Sequence, residues 1–144
     1  MKESEYYFLD TNIFLRPVTK DHFQQTADCE KLFLLIQDNT IEAVTSNIVL
    51  AEFLWTAQSF YHVSKQETVA SMKGILGIPG LAIEDSFDPF AALQYYESFP
   101  VKFIDALIAS HTLIQERKAI VVSYDKDFDK LGVPRTEPKD IIRQ

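Results

Sequence analysis

The sequence predicts an α/β fold, a three-layer α/β/α sandwich around a mostly parallel sheet, built as a single domain over residues 1–144. Three observations point there. Short apolar runs recur at Tyr6 to Leu9, Ile41 to Thr45, Leu81 to Ile83 and Ala119 to Ser123, uncharged apart from Glu42, each the length of a strand covered on both faces. Longer segments with helix start and stop signals lie between them, and strands alternating with helices call for right-handed crossovers between parallel neighbours. No internal repeat, low-complexity tract or linker divides the chain.

Taken in order, strand one at Tyr6 to Leu9 feeds a short helical or turn segment at Ile13 to Arg16, closed by Pro17. Asp21 is an N-cap for a helix to about Gln37 with Phe23, Ala27, Phe33 or Leu34 and Ile36 inward, ending at the Asp38-Asn39 turn. After the strand at Ile41 to Thr45, Ser46 or Asn47 caps an apolar helix through Phe60, and Ser64 with Glu67 makes a capping box for the next, to Gly74 or Gly77. Pro79-Gly80 turns into strand three. Asp88-Pro89 is an N-cap followed by proline at the first helical position, so a helix covers Pro89 to Ser98. A further helix after Pro100 carries Ile104, Leu107, Ile108, His111 and Ile114 on one face. Strand four follows at Ala119 to Ser123, and the rest, with Pro134 and Pro138, reads as turns.

Composition narrows the function. With 21 acidic and 14 basic residues the formal net charge is −7, which repels nucleic acid at long range and disfavours a module that binds through a basic field. A metal-bridged phosphate substrate or a basic protein partner remains. Cys29 stands alone, which excludes an internal disulfide and a Cys-rich metal site; it reads as a small buried hydrophobe. The opening Met-Lys-Glu-Ser-Glu lacks the apolar core of a secretory signal, and no apolar run reaches the roughly 18 residues of a membrane span, so a soluble cytoplasmic protein with no membrane contact is expected.

Three acids sit where composition does not explain them. Asp10 ends the first strand, Glu52 is the one charge between Ile48 and Ala57, and Asp105 is the one charge between Phe103 and Ala109. In open parallel sheets ligands bind outside the carboxyl ends of the strands, where Asp10 lies. Asp125 occupies the same kind of position after strand four, with Asp127 two residues on. Each alone has an ordinary reading: Asp10 and Asp105 as helix caps, Glu52 on an exposed helix flank, Asp125 and Asp127 as turn acids. Lys102 is the one base beside these apolar stretches. One lysine cannot neutralise converging carboxylates, whose mutual repulsion calls for a divalent cation. Hard oxygen donors with no thiolate or imidazole cluster favour Mg²⁺ or Mn²⁺ over zinc. No Gly-x-Ser-x-Gly elbow or phosphate-binding glycine loop is present, His22, His62 and His111 lack ligand spacing, and His111 falls on an apolar face as a packed residue.

Asp10-Thr11-Asn12 after a strand, Val49-Leu50-Ala51-Glu52, Phe103-Ile104-Asp105-Ala106-Leu107-Ile108-Ala109 and Ser123-Tyr124-Asp125-Lys126-Asp127-Phe128, in that order, resemble the PIN-domain family. Their spacing and the chain length look like the small prokaryotic PIN ribonucleases, including the VapC-type toxins of toxin-antitoxin pairs. The resemblance implies a Mg²⁺- or Mn²⁺-dependent endoribonuclease. Asp10, Glu52, Asp105 and Asp125 match its four acids, Asp127 is a fifth nearby ligand, and Asn12 and Ser123 match its polar helpers. It further implies an RNA substrate, an antitoxin partner and a homodimer. Lys102 and Lys126, with Lys20, Lys130 and Arg135 behind them, are the candidate phosphate contacts. The rival readings are a non-toxin PIN nuclease of RNA processing, a protein-interaction domain without catalysis, supported by 11 Phe and 6 Tyr, and a receiver-type domain with Asp10 as phospho-acceptor, disfavoured because such domains want an acid pair after strand one and the acceptor after strand three, where Glu84-Asp85 is a poor match.

Overall fold

The computed structural model describes residues 6–143, so the reading of Met1 to Glu5 lies outside it. Five parallel strands, β1 (Tyr6–Leu9), β2 (Ala43–Thr45), β3 (Leu81–Ile83), β4 (Ala119–Val122) and β5 (Arg135–Thr136), form one sheet in the order β3-β2-β1-β4-β5. The chain first moves outward from β1 through β2 to β3, then returns to β1's other edge for β4 and β5. The direction of progress therefore reverses at β1, and such a reversal opens a crevice at the carboxyl ends of the strands. In register, Leu9 pairs with Val122, so the residues that leave the two strands are Asp10 and Ser123, side by side.

The helices follow from local signals where those are strong. α3 (Asn47–Ser59) starts on Ser46, whose hydroxyl accepts from Val49 N; α4 (Lys65–Leu76) starts on Ser64 in the same way. α5 (Pro89–Ser98) is capped by Asp88, whose Oδ1 accepts from Phe90 N and Ala91 N. Helix α1 (Thr11–Thr19) packs on α2 (Phe23–Gln37) and α3 through Phe14, whose ring centroid lies 5.6 Å from that of Phe33 and 6.2 Å from that of Phe53. Phe8, Phe14 and Phe53 are each buried, at about 1.5 to 3 kcal/mol of burial free energy per large apolar side chain. This packing fixes α3, and with it Glu52, against the end of β1.

Several local expectations are corrected. Helix α1 passes through Pro17 and ends at Thr19, because the proline falls in the last turn and removes one hydrogen bond shortly before Lys20 takes a left-handed backbone (φ 53°). The cap of α2 is His22, whose Nδ1 accepts from Gln25 N, while Asp21 is engaged by the Thr19 hydroxyl and Arg16. Phe23 and Leu34 face outward; Cys29, Leu32 and Ile36 form the inner face. The helix read after Pro100 is two: α6 (Phe103–Ala109) stops, and the His111 ring caps α7 (Thr112–Gln115) by accepting from Leu113 N. His111 is fully buried against the rings of Phe8 and Phe87, as a packed residue. The turn-rich end contains α8 (Asp127–Lys130), β5 and α9 (Pro138–Ile142). Among the described residues no helix is long and apolar enough to cross a membrane.

Candidate active site

Four acids from four segments meet in the crevice. Asp10 leaves β1, Glu52 stands on the second turn of α3, Asp105 lies in the first turn of α6, and Asp125 follows β4 by a short step. Together with Thr11, Asn12, Leu15, Thr56 and Lys102 they line an open cleft of about 160 Å³. Asp10 also caps α1, accepting from Thr11 N at 2.8 Å, so its ordinary helix-start role and its place in the cleft coincide.

The polar residues beside Asp10 hold it rigidly. The Ser123 hydroxyl donates to Asp10 Oδ2 at 2.6 Å and accepts from Asn12 Nδ2 at 3.1 Å and Asp125 N at 3.0 Å, which fills its hydrogen-bonding capacity. Asn12 Oδ1 accepts from Tyr124 N at 3.3 Å, and Asp125 Oδ1 accepts from Asp127 N at 2.9 Å. The β1–α1 junction is thus tied to the loop after β4 on both sides of the carboxylates.

Electrostatics show what the cluster lacks. Burial pushes the Asp10 carboxyl up to about 6, against the lowering hydrogen bonds from Ser123 and Thr11 and with the negative charges of Glu52 and Asp125 adding to it. Asp105 is pushed further, to about 8, by burial first and then by Asp10 and Asp125, with Lys102 opposing. Burial pulls the Lys102 ammonium down, but Asp105, Asp125, Glu52 and Asp10 outweigh that and hold it above its ordinary value; its Nζ lies 3.8 Å from Asp125 Oδ2. Among the described residues, Asp105 Oδ2 is the buried side-chain oxygen or nitrogen atom left with no hydrogen-bond partner. An orphaned carboxylate oxygen inside a ring of carboxylates is a ligand position for a cation. Asp105, Asp125 and Asp127 each bring one oxygen within 4.8 Å of the others, a spread that one oxygen-ligated divalent ion with bonds of about 2.0 to 2.6 Å can span. The residues present fit such an ion.

The sequence profile of the PIN domain matches residues 7–134, a span that contains all four acids. The chain belongs to the PIN domain family. Among solved structures this PIN domain is similar to VapC20 of Mycobacterium tuberculosis, a toxin that cleaves the sarcin–ricin loop, with a TM-score of 0.69 and 16% identity over 88% of this chain and 95% of that one. It is also similar to VapBC2 of Rickettsia felis, solved bound to a DNA fragment from their promoter, with a TM-score of 0.67 and 23% identity over 92% and 98% of the two chains. At these identities the likeness establishes the fold. No curated protein sequence matches the chain significantly.

Not every predicted residue of this PIN domain reaches the cleft. Lys126 is exposed and lines a separate groove with Arg135, Thr136, Glu137, Lys139 and Asp140. Arg135 is committed to Asp129, Glu137 and the Ser123 carbonyl, and Lys130 to Asp127 at 3.0 Å, so both brace the loop that carries Asp125. Asp127 does not line the cleft, although one of its carboxylate oxygens lies within 4.8 Å of those of Asp105 and Asp125, which do. Sequence reasoning missed Thr11. Its hydroxyl donates to Glu52 Oε1, 41 positions away, and holds that carboxylate toward the cleft from a side chain that is itself buried. The available signal was the hydroxyl at the first helical position beside Asp10; its partner could be found only by folding the chain.

Proposed function

We propose that this PIN domain is a metal-dependent endoribonuclease that hydrolyses RNA phosphodiester bonds, and that it is the toxin of a toxin-antitoxin pair. The observation that carries the enzymatic reading is the convergence of Asp10, Glu52, Asp105 and Asp125 on one cleft, with Asp105 Oδ2 buried and unpartnered. Family membership and the described RNA target of VapC20 support RNA as the substrate. VapBC2 supports an antitoxin partner. The exposed Phe23, Phe90 and Leu93 supply apolar surface for that partner and for a second copy of the chain in the cytoplasm.

In this reading Asp10, Glu52, Asp105 and Asp125 hold Mg²⁺ or Mn²⁺, with Asp127 as the outer ligand. A bound ion of this kind lowers the pKa of its water and stabilises charge on the leaving oxygen. The chain's own contribution is orientation. Ser123 and Asn12 fix the rotamer of Asp10, Thr11 fixes Glu52, and Lys102, at the cleft rim, draws the scissile phosphate toward the acids and balances part of its charge. No imidazole reaches the cleft, because the one histidine near α6 is sealed in the core. In this reading the attacking group is water, as in metal-assisted hydrolysis, and not the ribose 2′-hydroxyl. An RNA with a single 2′-deoxy sugar at the cleavage position is expected to be cut at a rate within about threefold of the all-ribose substrate and to leave no cyclic phosphate. Complete resistance of that substrate would contradict the water-attack reading.

A further inference from the structure

Among the residues that line the cleft, Lys102 is the one cation. It stands at the N-cap of α6, three residues before Asp105, and makes no side-chain capping bond there. Its backbone is therefore held by the helix while its side chain is 66% exposed, and the flexible four-carbon stem can swing the ammonium between neighbouring positions. In the metal-free chain that ammonium lies 3.8 Å from Asp125 Oδ2, and Asp105, Asp125, Glu52 and Asp10 all attract it. It meets only part of what they lack, because Asp105 Oδ2 stays without a partner. The neighbouring bases have no such freedom: Lys130 is taken up by Asp127, and Arg135 by Asp129, Glu137 and the Ser123 carbonyl.

Asp125 has two uses at once. Its Oδ1 accepts from Asp127 N and its Oδ2 meets the ammonium, yet the same carboxylate belongs to the Asp105, Asp125 and Asp127 group whose oxygens gather within 4.8 Å. A singly charged ammonium at 3.8 Å is a weaker partner for a carboxylate than a doubly charged ion at bonding distance. Resting on the metal-dependent ribonuclease reading above, we propose that Lys102 is an exchangeable counter-cation: it neutralises Asp125 in the metal-free chain, is displaced when the ion binds, and is then free to take the phosphodiester, so that metal and RNA bind cooperatively through one side chain. A fixed phosphate contact would favour RNA equally with or without the metal. An exchanged contact favours it after the metal has released the lysine, and by thermodynamic reciprocity RNA then tightens the metal by the same factor.

Two titrations of the full chain read the exchange without any cleavage. One follows Mn²⁺ binding by calorimetry with no RNA present; the other follows binding of dimethyl phosphate, an inert phosphodiester, in saturating Mg²⁺ and in EDTA. Lys102→Met keeps most of the stem and removes the charge, and Lys102→Arg keeps the charge. Lys102→Met should bind Mn²⁺ roughly fivefold more tightly than the parent, with Lys102→Arg close to the parent. It should bind dimethyl phosphate roughly fivefold more weakly in Mg²⁺, with little change in EDTA. Unchanged Mn²⁺ affinity in Lys102→Met overturns the inference and leaves the ribonuclease reading standing. Tighter Mn²⁺ binding with no loss of diester binding also overturns it, since Lys102 is then a charge that repels the ion and nothing more. An equal loss of diester binding in Mg²⁺ and in EDTA overturns it as well and makes Lys102 a fixed contact. A parent protein that binds neither Mn²⁺ nor Mg²⁺ overturns both readings.

Discussion

Asp105→Asn is expected to lower metal-dependent RNA cleavage on the order of a thousandfold and, in the same protein, to raise the stability of the metal-free fold at pH 8 by about 2 kcal/mol. The two effects have one cause. Asp105 is buried, its Oδ2 has no partner, and the carboxyl is pushed up to about 8 by burial and by Asp10 and Asp125. Without an ion, the folded chain must either bury this charge among like charges or hold a proton that the unfolded chain would release. Asparagine keeps the shape, removes the charge and brings N–H donors to carboxylates that lack them. Thermal unfolding in EDTA alongside a cleavage assay in Mn²⁺ reads both quantities. A variant that is inactive and also less stable would mean that Asp105 serves as a helix cap and not as a ligand.

The stability of the metal-free protein should also fall as pH rises from about 5 to 8. Both Asp10, at about 6, and Asp105, at about 8, have folded values above the ordinary carboxyl value of 3.8. A carboxyl raised in the folded state binds its proton more tightly there, so its contribution is complete below the unfolded value and is lost as pH climbs through the folded one. Both groups contribute in the lower part of the window, and Asp105 alone in the upper part. A tenfold difference in proton affinity between the folded and unfolded chain is worth about 1.4 kcal/mol, so the decline amounts to several degrees in Tm. Mg²⁺ or Mn²⁺ binds the deprotonated carboxylates, releases protons and should raise Tm more at pH 8 than at pH 6. Scanning calorimetry across that range, with EDTA and with each ion, measures the effect. A flat profile in EDTA, or a metal effect on Tm independent of pH, would contradict the arrangement of charges described here.

What the sequence made legible was local. Ser46, Ser64 and Asp88-Pro89 announced α3, α4 and α5 because caps act within one turn of their own position, and β1, β3 and β4 stood out as uncharged runs. Elements too short to show a period did not. β5 is two residues long, and α8 and α9 are four and five, although Pro138 at the start of α9 was a helix signal of the kind used for Pro89. The run from Ile48 to Ala57 is apolar apart from Glu52 and Thr56, yet Ile48, Trp55 and, just beyond it, Phe60 are exposed: an apolar stretch does not say what covers it.

The site followed the same division. Asp10, Glu52 and Asp105 could be singled out because a charge in an apolar stretch needs a reason, and Asp125 because it follows a strand; the β1–β4 pairing then set Asp10 beside the segment that leads to Asp125, with α3 and α6 bringing Glu52 and Asp105 to the same cleft. Asp28, buried and satisfied by Gln24, gave no such signal, because its sequence neighbours are polar. Thr11 and Lys126 mark the limit. One acquires its role from a partner 41 positions away, and the other, next to Asp125 in sequence, points into a different groove.

The central claim is that these carboxylates hold an ion at which RNA is cut. Its most direct test is the cleavage of a mixed pool of structured and unstructured RNAs by the purified protein in Mg²⁺, Mn²⁺ or EDTA, beside Asp10→Asn. Asp10 is chosen because asparagine keeps its shape and, through its amide oxygen, the helix-start bond from Thr11 N, while losing the second carboxylate oxygen, the one Ser123 donates to. The account predicts cutting in either metal, none in EDTA, and none in a variant that still unfolds cooperatively. Cutting that survives in EDTA, or in a clean preparation of Asp10→Asn, would contradict it.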